Sequence, residues 1–592
     1  MIEARFDDLT GAEASFRLVE PVGVVEATHP RDVPGVLEAV EASARRGLWA
    51  AGFVAYEAAP GLDPALRVRT RATDDPFAGL PLAWFALFEG RQETALPEPP
   101  LTSEGLDADA WRPSVDRVAY DAAIRQIHEH VARGDTYQVN HTLRLRAGIE
   151  GDLRGLYRDL CFAQRGAYGA YLDLGRYRIV SASPELFFRI DADRISTKPM
   201  KGTAPRGRWL EEDESVRDRL RGSVKDRAEN AMIVDLLRSD LGRVAIPGSV
   251  SWSDVFEAER FETVWQLTST VSASIDPGAG LTDIFRALFP CGSVTGAPKV
   301  STMGIIAALE DSPRGAYCGT IGYLAPPQTP GPRARFNVAI RTVMHDTRTS
   351  TAEYGVGGGI TWDSQASAEY DEVVAKARVL TARRPAFRLL ETLRHDPGRG
   401  YRRLDEHLAR LLASATYHGY TVDEDAVHSA LAREAGRYPG KTTRVRLLVD
   451  RRGRVETGSA PMSSADGPTR LGLDLAHPVD PADVFLFHKT TLRERYEQAL
   501  ARHPDADDVV LVNTRGEVTE TTIGNLAVRL EGRWWTPPLD SGLLAGCERA
   551  ALLAEGALAE RTIRIEELRA AEALAVVNSV RGWRDAVLVS PA

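Results

Sequence analysis

Asp226 and Glu229 stand three residues apart in a segment with the pattern of a helix. In SVKDRAENAMIVDLLRSDLGRV, residues 223–244, apolar residues recur at helical spacing, Ser223 is a good N-cap and Gly242 a good stop signal. The two carboxylates therefore share one face of the predicted helix. Asp226 can equally complete a capping box with Ser223, which would make its role structural.

A second predicted helix, SQASAEYDEVVAKARVL at residues 364–380, carries Glu369, Glu372 and Lys376 on one face. A surface Glu–Lys pair is enough to explain this spacing. Two helices that each carry paired carboxylates can also hold a hard cation together, because Mg²⁺ prefers one or two carboxylates with waters and substrate oxygens. Such a site suits an anionic small molecule.

Lys201 stands where a proline and a glycine restrict the backbone. STKPMKGTAPRG places it between Pro199 and Gly202, and we expect a stiff loop there. Further along, Arg341 lies in the strand-like run AIRT and can contact a carboxylate. The three glycines at 357–359 let backbone N–H groups approach an anion. Each of these features is weak by itself.

Composition indicates a large globular protein. The chain has 592 residues, of which 43% are hydrophobic and 26% charged, and its formal net charge of −10 argues against a basic nucleic-acid-binding face. No apolar run approaches the ~18 residues of a membrane helix, and the acidic start lacks the apolar stretch of a signal peptide. Four scattered cysteines predict neither a disulfide framework nor a zinc site. We therefore expect a cytoplasmic protein without nucleic-acid or membrane partners.

Two breaks divide the sequence. ETALPEPPLTSEGLDADAWRP, residues 93–113, is rich in proline and acid and predicts an exposed connector. TARRPAF, residues 381–387, precedes a new strand pattern, FRLLETLRH. The predicted domains are 1–384, divided into an N-terminal part at 1–110 and a core at 115–384, and 385–592.

The motifs of the first region are specific in combination. They occur in the order DTYQVNHT, SASPELF, PMKGT, KDRAENAMIVDLLRSDLGRV, GSVTGAPK, CGTIGY, IRT, GGGI and AEYDE. This series resembles the chorismate-utilising enzymes, which include anthranilate synthase component I, aminodeoxychorismate synthase component I, isochorismate synthase and salicylate synthase. The resemblance covers residues 1–380 and is strongest after residue 115. It implies an α+β fold in which two large antiparallel sheets enclose the site.

Three positions bear on which reaction of this family is implied. Gln138 stands where water-adding members carry a lysine base, and an amide cannot act as a base. Lys201 of PMKGT matches the PIKGT of aminodeoxychorismate synthases, whereas anthranilate synthases resemble PIAGT. Gln266, in FETVWQLTSTV, stands in place of a histidine of anthranilate synthases, which fits an enzyme that does not itself eliminate pyruvate. The resemblance therefore favours amination of chorismate at C4.

The resemblance also assigns roles to residues. It implies that Lys201 attacks C2 of chorismate as the C4 hydroxyl leaves, that Glu185 protonates this hydroxyl, and that ammonia then attacks C4 and expels the lysine. Such an amine must be neutral and aimed, which suits a stiff, partly desolvated loop. The implied Mg²⁺ ligands are Glu229 and Glu372 directly, and Asp226 and Glu369 through water. The implied chorismate-binding residues are Thr320, Arg341, Tyr354, Gly357, Gly358, Gly359 and Lys376.

A second lysine with different surroundings follows the predicted boundary. FLFHKTTLRERYEQAL presents Lys489 at a strand-to-helix transition, and GEVTETTIGNLAVRL presents Glu520. SGLLAGCERA predicts a glycine-rich turn that opens a helix, where a phosphate can bind. Lys489 can form a Schiff base and Glu520 can pair with a pyridinium nitrogen, which is the chemistry of pyridoxal 5′-phosphate.

This second region resembles the fold-type IV pyridoxal-phosphate enzymes, which include branched-chain aminotransferases and aminodeoxychorismate lyase. HLARL, Lys489, VTETTIGNL and GLLAG carry the resemblance. It implies an α/β domain in which Arg410 of HLARL holds the cofactor phosphate, with Arg446 near the site. The other implied cofactor-binding residues are Glu520, Thr522, Ile523, Leu544 and Ala545. The usual opening segment of free-standing members is missing before LLETLRH, which leaves open whether the first domain completes the wall of the site.

Together the two resemblances predict a bifunctional enzyme that makes 4-aminobenzoate. The first domain would aminate chorismate with Mg²⁺, and the second, with pyridoxal 5′-phosphate and with Lys489 moving the C4 proton, would eliminate pyruvate. A separate glutamine amidotransferase subunit is the expected source of ammonia, and the second domain allows a homodimer. Two alternatives stay open: an anthranilate or aminodeoxyisochorismate synthase joined to an unrelated class IV aminotransferase, and a synthase with a non-catalytic C-terminal module.

Overall fold

The computed structural model describes residues 2–97, 111–380, 386–463 and 467–589. Most of the predicted connector and most of the predicted break before the second domain therefore lie outside the described residues. The chain divides into two compact units. The first comprises Met1–Pro205 and Arg217–Ala386, and the second comprises Arg206–Val216 and Phe387–Ala592.

The described part of the first unit is built on twenty strands. They are β1 (Glu3–Asp7), β2 (Phe16–Val19), β3 (Gly23–Ala27), β4 (Trp49–Val54), β5 (Ala83–Phe88), β6 (Gln92–Glu93), β7 (Arg112–Pro113), β8 (Gln138–Gly148), β9 (Tyr168–Asp173), β10 (Tyr177–Ser183), β11 (Leu186–Asp191), β12 (Arg194–Lys198), β13 (Met200–Pro205), β14 (Ser251–Arg260), β15 (Val264–Ser274), β16 (Gly296–Ala297), β17 (Thr320–Leu324), β18 (Ala334–Val338), β19 (Thr342–Asp346) and β20 (Thr351–Ile360).

These strands form two sheets of ten strands each. One has the order β16-β8-β20-β19-β10-β9-β1-β2-β6 with β7 beside β8, and the other has the order β13-β15-β12-β11-β18-β17-β4-β5-β3 with β14 beside β15. Apolar side chains from strands of both sheets pack into one core, where Phe6 and Phe16 contact Tyr323 edge-on, with ring centroids 5.1 Å apart in each pair. The predicted α+β fold with two large antiparallel sheets is confirmed.

The helices of both units begin and end at identifiable residues. They are α1 (Val33–Arg45), α2 (Ala59–Leu62), α3 (Arg117–Ala132), α4 (Leu153–Gln164), α5 (Leu210–Gly222), α6 (Val224–Gly242), α7 (Leu281–Leu288), α8 (Lys299–Leu309), α9 (Ala366–Ala377), α10 (Leu404–His418), α11 (Glu424–Ala435), α12 (Glu494–Arg502), α13 (Cys547–Ala554) and α14 (Ile565–Arg569). Helix α6 has the predicted N-cap, because the Ser223 hydroxyl accepts from the Asp226 N–H at 3.3 Å. None of the described helices has both the length and the apolar character of a membrane span.

The second unit contains two further sheets. Its strands are β21 (Leu389–Asp396), β22 (Gly400–Tyr401), β23 (Thr443–Val449), β24 (Val455–Pro461), β25 (Thr469–Val479), β26 (Asp508–Asn513), β27 (Val518–Thr521), β28 (Asn525–Leu530), β29 (Arg533–Thr536), β30 (Ala559–Glu560), β31 (Ala573–Asn578) and β32 (Gly582–Leu588). The sheet orders are β22-β21-β23-β24 and β27-β26-β25-β32-β31-β28-β29-β30, and β25 runs parallel to both of its neighbours. The predicted α/β fold of this unit is confirmed.

Candidate active sites

Lys201 lies on a strand, not in the expected loop. Strand β13 pairs with β15, and the register shifts between Met200 and Thr203. Gly202, within this irregularity, has a φ of +90°, and a Cβ there would lie 2.9 Å from the Cβ of Asp226. The expectation of a loop is wrong because β15, distant in sequence, supplies backbone partners for this segment. The rigidity at Lys201 comes from that pairing and from a position that only glycine can occupy.

The Lys201 amine faces a part of β20 that carries no side chains. A Cβ built at Gly359 would lie 2.9 Å from Lys201 Nζ and 2.8 Å from Gln138 Nε2. This Nε2 is buried and has no hydrogen-bond partner among the described residues. Space beside Lys201 therefore exists because β20 carries glycine there, and Gln138 offers an unpaired donor to a ligand.

Glu185 is a buried acid within electrostatic reach of Lys201. Its carboxyl group is bonded by the Ser293 hydroxyl and the Met200 N–H, whereas Oε1 has no partner in the described part of the chain. Burial raises the pKa of Glu185 to about 7, although the charge of Lys201 opposes the shift. Glu185 can therefore hold a proton near neutral pH and has one oxygen left for a ligand.

Helix α9 brings charged side chains to the glycines of β20. Lys376 Nζ lies 2.6 Å from Glu372 Oε1 and donates to the Gly357 carbonyl at 2.8 Å. A Cβ at Gly358 would lie 3.3 Å from Glu369 Oε2. Although burial disfavours the charge of Glu372, the Lys376 ammonium lowers its pKa. The i,i+4 ion pair between Glu372 and Lys376 therefore forms, and it lies beside the three glycines.

Arg341 lies in a left-handed turn and not in a strand, so the expectation of a strand-like run is wrong there. Strand β18 ends at Val338 in one sheet, and β19 begins at Thr342 in the other. The chain changes sheets between them, and Arg341 takes a φ of +53° to do so. Its NH1 donates to the Lys376 carbonyl at 2.7 Å. The turn thus holds the Arg341 guanidinium next to α9.

Two other predicted substrate residues are fully buried. The Thr320 hydroxyl donates to the Asn337 carbonyl at 2.5 Å. Tyr354 packs against Trp111 with ring centroids 6.4 Å apart. Burial raises the pKa of Tyr354, although the charge of Arg341 opposes the shift. Both side chains support the strands around the site, and their contact with a substrate stays a prediction.

The four predicted metal ligands do not form one cluster. Within the described ranges, no three His, Cys, Asp or Glu side chains lie close enough to hold a metal ion. Burial, and to a smaller extent the charge of Glu372, raises the pKa of Glu369. A cation would relieve this repulsion, so the α9 pair fits Mg²⁺, which needs only one or two carboxylates. The roles of Asp226 and Glu229 as further ligands stay predictions.

The second unit contains a cavity of about 910 Å³ lined by residues of both its sheets. Lys489 lines this cavity and is buried. Burial, and then the charge of Arg410, lowers the pKa of Lys489 to about 8. The other arginines that line the cavity are Arg388, Arg444, Arg446, Arg493 and Arg581. Three glutamates and six arginines line the cavity, so positively charged side chains outnumber the acidic ones. The cavity therefore suits an anionic ligand.

Glu520 faces the same cavity, and both its oxygens are bonded. Tyr496 donates to Oε1 at 3.0 Å, and the Leu544 N–H donates to Oε2 at 3.1 Å. Burial raises the pKa of Glu520 to about 7. A buried carboxyl group with a pKa near 7 can share a proton with a ring nitrogen of a ligand.

Arg410 is held by a buried carboxylate. Its Nε and NH2 donate to the two oxygens of Glu391 at 2.9 and 2.7 Å, and its NH1 donates to the Ala545 carbonyl at 3.0 Å. His407 Nδ1 lies 2.7 Å from Glu391. Although burial disfavours the charge, Arg410 lowers the pKa of Glu391 to about 2. This network fixes the Arg410 guanidinium beside the turn that precedes α13.

That turn has no room for a larger residue. A Cβ at Gly546, the N-cap of α13, would lie 2.0 Å from Asn525 Oδ1. Of the neighbouring predicted residues, Thr522 bonds Asp508 through its hydroxyl at 2.5 Å and its N–H at 2.9 Å, and Ile523 is 55% exposed. The turn and the helix start suit a phosphate. With Lys489, Glu520 and Arg410, these residues fit pyridoxal 5′-phosphate.

Residues 8–382 match the family model described as chorismate binding enzyme, and residues 388–589 match the one described as amino-transferase class IV. The chain belongs to the chorismate binding enzyme family. Both resemblances drawn from the motifs are thereby confirmed.

This chorismate binding enzyme is similar to aminodeoxychorismate synthases and to an anthranilate synthase component I. Aminodeoxychorismate synthase component 1 of Salmonella typhimurium is 43% identical over 268 residues, which cover 45% of this chain and 58% of the relative. Aminodeoxychorismate synthase of Streptomyces griseus is 39% identical over 314 residues, which cover 52% of this chain and 41% of the relative. The match thus spans three-fifths or less of these relatives' length. The structure of anthranilate synthase component I from Streptococcus pneumoniae is 26% identical, with a TM-score of 0.54, and the match covers 63% of this chain and 93% of that one.

One buried network of this chorismate binding enzyme is not predicted by its sequence patterns. Glu310 binds Arg144 at 3.1 Å and Arg314 at 2.6 Å, with all three side chains at most 3% exposed. Glu310 also accepts the Thr142 N–H at 2.9 Å, and Arg314 donates to the Asn140 carbonyl at 2.7 Å. The network therefore supports β8 opposite the glycines of β20. In sequence, Glu310 and Arg314 show only the spacing of an ordinary surface pair.

Proposed function

We propose that the first unit aminates chorismate at C4 and that the second converts the product, 4-amino-4-deoxychorismate, to 4-aminobenzoate and pyruvate. Supporting the first step, relatives at 39% and 43% identity are named aminodeoxychorismate synthases. Supporting the second, the class IV match and the Lys489 cavity fit pyridoxal 5′-phosphate.

One observation carries the first step: a buried carboxyl group that holds a proton near pH 7 lies within electrostatic reach of the amine of Lys201. Lys201 Nζ forms a bond to C2 of chorismate while the C4–O bond breaks, and Glu185 gives its proton to the departing hydroxyl as water. Ammonia then bonds to C4, the C2–N bond to Lys201 breaks, and the double bond returns. Glu185 is regenerated by the proton that ammonia releases.

The residues around Lys201 bind and orient the substrate in this proposal. The Arg341 guanidinium donates to the backbone carbonyl of Lys376, so the two residues are in contact. Their side chains carry the positive charge that chorismate carboxylates need. Mg²⁺ would be held directly by Glu229 and Glu372 and through water by Asp226 and Glu369, and it would supply further charge for the ring carboxylate.

Ammonia requires a source. We propose a separate glutamine amidotransferase subunit, since relatives are named component 1 of their synthase. Gln138 cannot activate water, so its unpaired amide would act as a hydrogen-bond donor to the substrate and not as a base.

In the second unit, pyridoxal 5′-phosphate would supply an electron sink for removal of the C4 proton. Lys489, with its pKa lowered to about 8, takes this proton from C4 as the C3–O bond breaks, and it gives the proton to the departing enolpyruvyl group, which leaves as pyruvate. Glu520 would pair with the ring nitrogen of the bound cofactor, and Arg410 would hold its phosphate. The arginine-rich lining suits a substrate with two carboxylates.

Product analysis tests both steps. The purified chain is incubated with chorismate, Mg²⁺, pyridoxal 5′-phosphate and an ammonium salt, and products are identified by mass and retention time. We expect 4-aminobenzoate and pyruvate from the wild type, no aminated product from Lys201→Ala, and 4-amino-4-deoxychorismate from Lys489→Ala. Lys441→Ala, which removes an exposed lysine of the second unit, is the control and should match the wild type.

Two outcomes would contradict the proposal. Anthranilate as product would overturn the role of Lys201 and favour the anthranilate synthase reaction of the Streptococcus relative. Accumulation of 4-amino-4-deoxychorismate by the wild type, with no visible absorption from bound cofactor, would leave the second unit as a non-catalytic module.

A further inference from the structure

A short segment that follows β13 belongs to the second unit. Arg206–Val216 forms part of the same compact unit as Phe387–Ala592. The Gly207 N–H and Arg206 Nε both bind Asp213 Oδ1, at 2.9 and 2.7 Å, and a Cβ at Gly207 would lie 2.3 Å from the Asp213 nitrogen. Hydrogen bonds within the segment therefore restrict its backbone. We call this segment, Arg206–Val216, the docking turn.

The docking turn binds the two residues that directly precede Lys489. His488 Nε2 lies 3.1 Å from the Arg208 carbonyl, and because a carbonyl only accepts, Nε2 carries the hydrogen. The indole of Trp209 packs on Phe487 with ring centroids 5.2 Å apart. The backbone leading into Lys489 is therefore held by a side-chain hydrogen bond and an aromatic contact from the docking turn.

Helix α10 completes the hold on His488. Its Nδ1 accepts from the Ser414 hydroxyl at 3.0 Å, and its ring lies 4.4 Å from that of Tyr417. The Tyr417 hydroxyl in turn donates to the Gly207 carbonyl at 2.6 Å. Burial lowers the pKa of His488 to about 4, so the ring stays neutral with one tautomer at physiological pH.

The docking turn also contacts the segment that leads to the glycine turn before α13. Arg208 NH2 lies 2.9 Å from Asp540 Oδ1. Asp540 belongs to the short helical turn Leu539–Ser541, which leads to Gly546 and the start of α13. One element therefore contacts both the approach to Lys489 and the approach to the glycine turn.

We propose that the docking turn is a positioning element of the Lys489 site and that His488 is the positioning residue through which it acts. The proposal rests on the proposed role of Lys489. By fixing Phe487 and His488, the docking turn sets where Lys489 Nζ stands in the cavity. The docking turn is not among the residues that line the cavity, and it acts only by supporting the segment that carries Lys489. Because it precedes residue 385 in sequence, a chain cut near that residue loses this support.

The test uses the full-length chain with Tyr417→Phe and, as a second variant, Trp209→Ala. Tyr417→Phe removes only the hydroxyl that binds the docking turn. Tyr401→Phe is the matched control, because the Tyr401 hydroxyl donates to the Leu431 carbonyl at 2.7 Å and makes the same kind of bond elsewhere in the unit. Each protein is measured twice: hydrogen exchange of residues 484–492 without cofactor, then the pH titration of the visible absorption after pyridoxal 5′-phosphate is added.

We expect both variants to speed exchange around Lys489, to shift the midpoint of the absorption titration and to weaken cofactor retention several-fold, while Tyr401→Phe behaves as the wild type. Unchanged exchange in both variants would overturn the proposal. Faster exchange with an unchanged titration would also overturn it, because the docking turn would then support the fold without positioning Lys489. Lys489→Ala separates this proposal from the proposed function. If the visible absorption of the bound cofactor survives in Lys489→Ala, the proposed role of Lys489 is wrong, and the hydrogen-exchange result alone then tests the docking turn.

Discussion

Replacing Glu185 by glutamine removes a proton and a charge while keeping the shape of the side chain. In the wild type, the Ser293 hydroxyl and the Met200 N–H bond the carboxyl group, and a glutamine carbonyl can accept the same bonds. The change therefore isolates the acid function of Glu185 from its packing, and it has opposite consequences for stability and for catalysis.

The stability consequence follows from the raised pKa. The difference between about 7 in the folded protein and the ordinary 4.5 corresponds to about 3 kcal/mol. Because the folded state binds the proton more tightly than the unfolded chain, the contribution of Glu185 is fully present below pH 4.5 and is lost as the pH rises toward 7. Glutamine has no such loss. Near pH 8 we expect Glu185→Gln to be more stable than the wild type by up to about 3 kcal/mol.

The catalytic consequence has the other sign. Without a proton for the departing hydroxyl, kcat for C4 amination should fall about 10²- to 10⁴-fold, with a much smaller change in KM for chorismate. The assays are initial rates of amination with an ammonium salt, and thermal unfolding of the first unit at acid and alkaline pH. Glu129→Gln, which changes an exposed acid on α3, is the control and should alter neither.

Each half of this prediction can fail separately. An amination rate close to that of the wild type would refute the assignment of Glu185 as the acid. The raised pKa of Glu185 would be refuted if the variant folds but its stability relative to the wild type is no greater near pH 8 than near pH 4. The physical reason for a proton on Glu185 would then be lost as well.

Three further predictions concern other residues of the two sites. Gly359→Ala puts a methyl group 2.9 Å from Lys201 Nζ, so kcat for amination should fall about 10²-fold with little change in thermal unfolding; an unaffected rate would contradict the placement of Lys201. Glu391→Gln leaves the buried charge of Arg410 poorly paired, and denaturant unfolding should show a loss of about 3–5 kcal/mol, with weaker cofactor binding in a titration; normal stability would show that Arg410 has other support. Chelation of Mg²⁺ should abolish amination, and Glu369→Gln should raise the Mg²⁺ concentration needed for half-maximal rate; an unchanged Mg²⁺ requirement would remove Glu369 from the metal site.

Local patterns were sufficient for the helices that carry the candidate residues. The N-cap Ser223 and apolar residues at helical spacing predicted α6, and the same spacing placed Glu372 and Lys376 on one face of α9. These features depend on neighbours three and four residues away, which a sequence displays directly.

Non-local pairing decided what local patterns could not. PMKGT has the composition of a loop, yet β15 pairs with it and makes it a strand. AIRT has the composition of a strand, yet the chain changes sheets there and turns Arg341 into a left-handed conformation. In both places the partners are distant in sequence, so no short window contains the cause.

By itself, the sequence determined which chemical groups are present and to which families their order belongs: an amine at Lys201, acids on two helices, and a second lysine followed by a glycine turn. Only the tertiary structure decided their chemical state and support. Burial sets the proton on Glu185 and lowers the pKa of Lys489, and the docking turn joins a unit that its sequence neighbours do not. The reason is that desolvation and packing sum over residues far apart in the chain, and such sums exist only once the chain has folded.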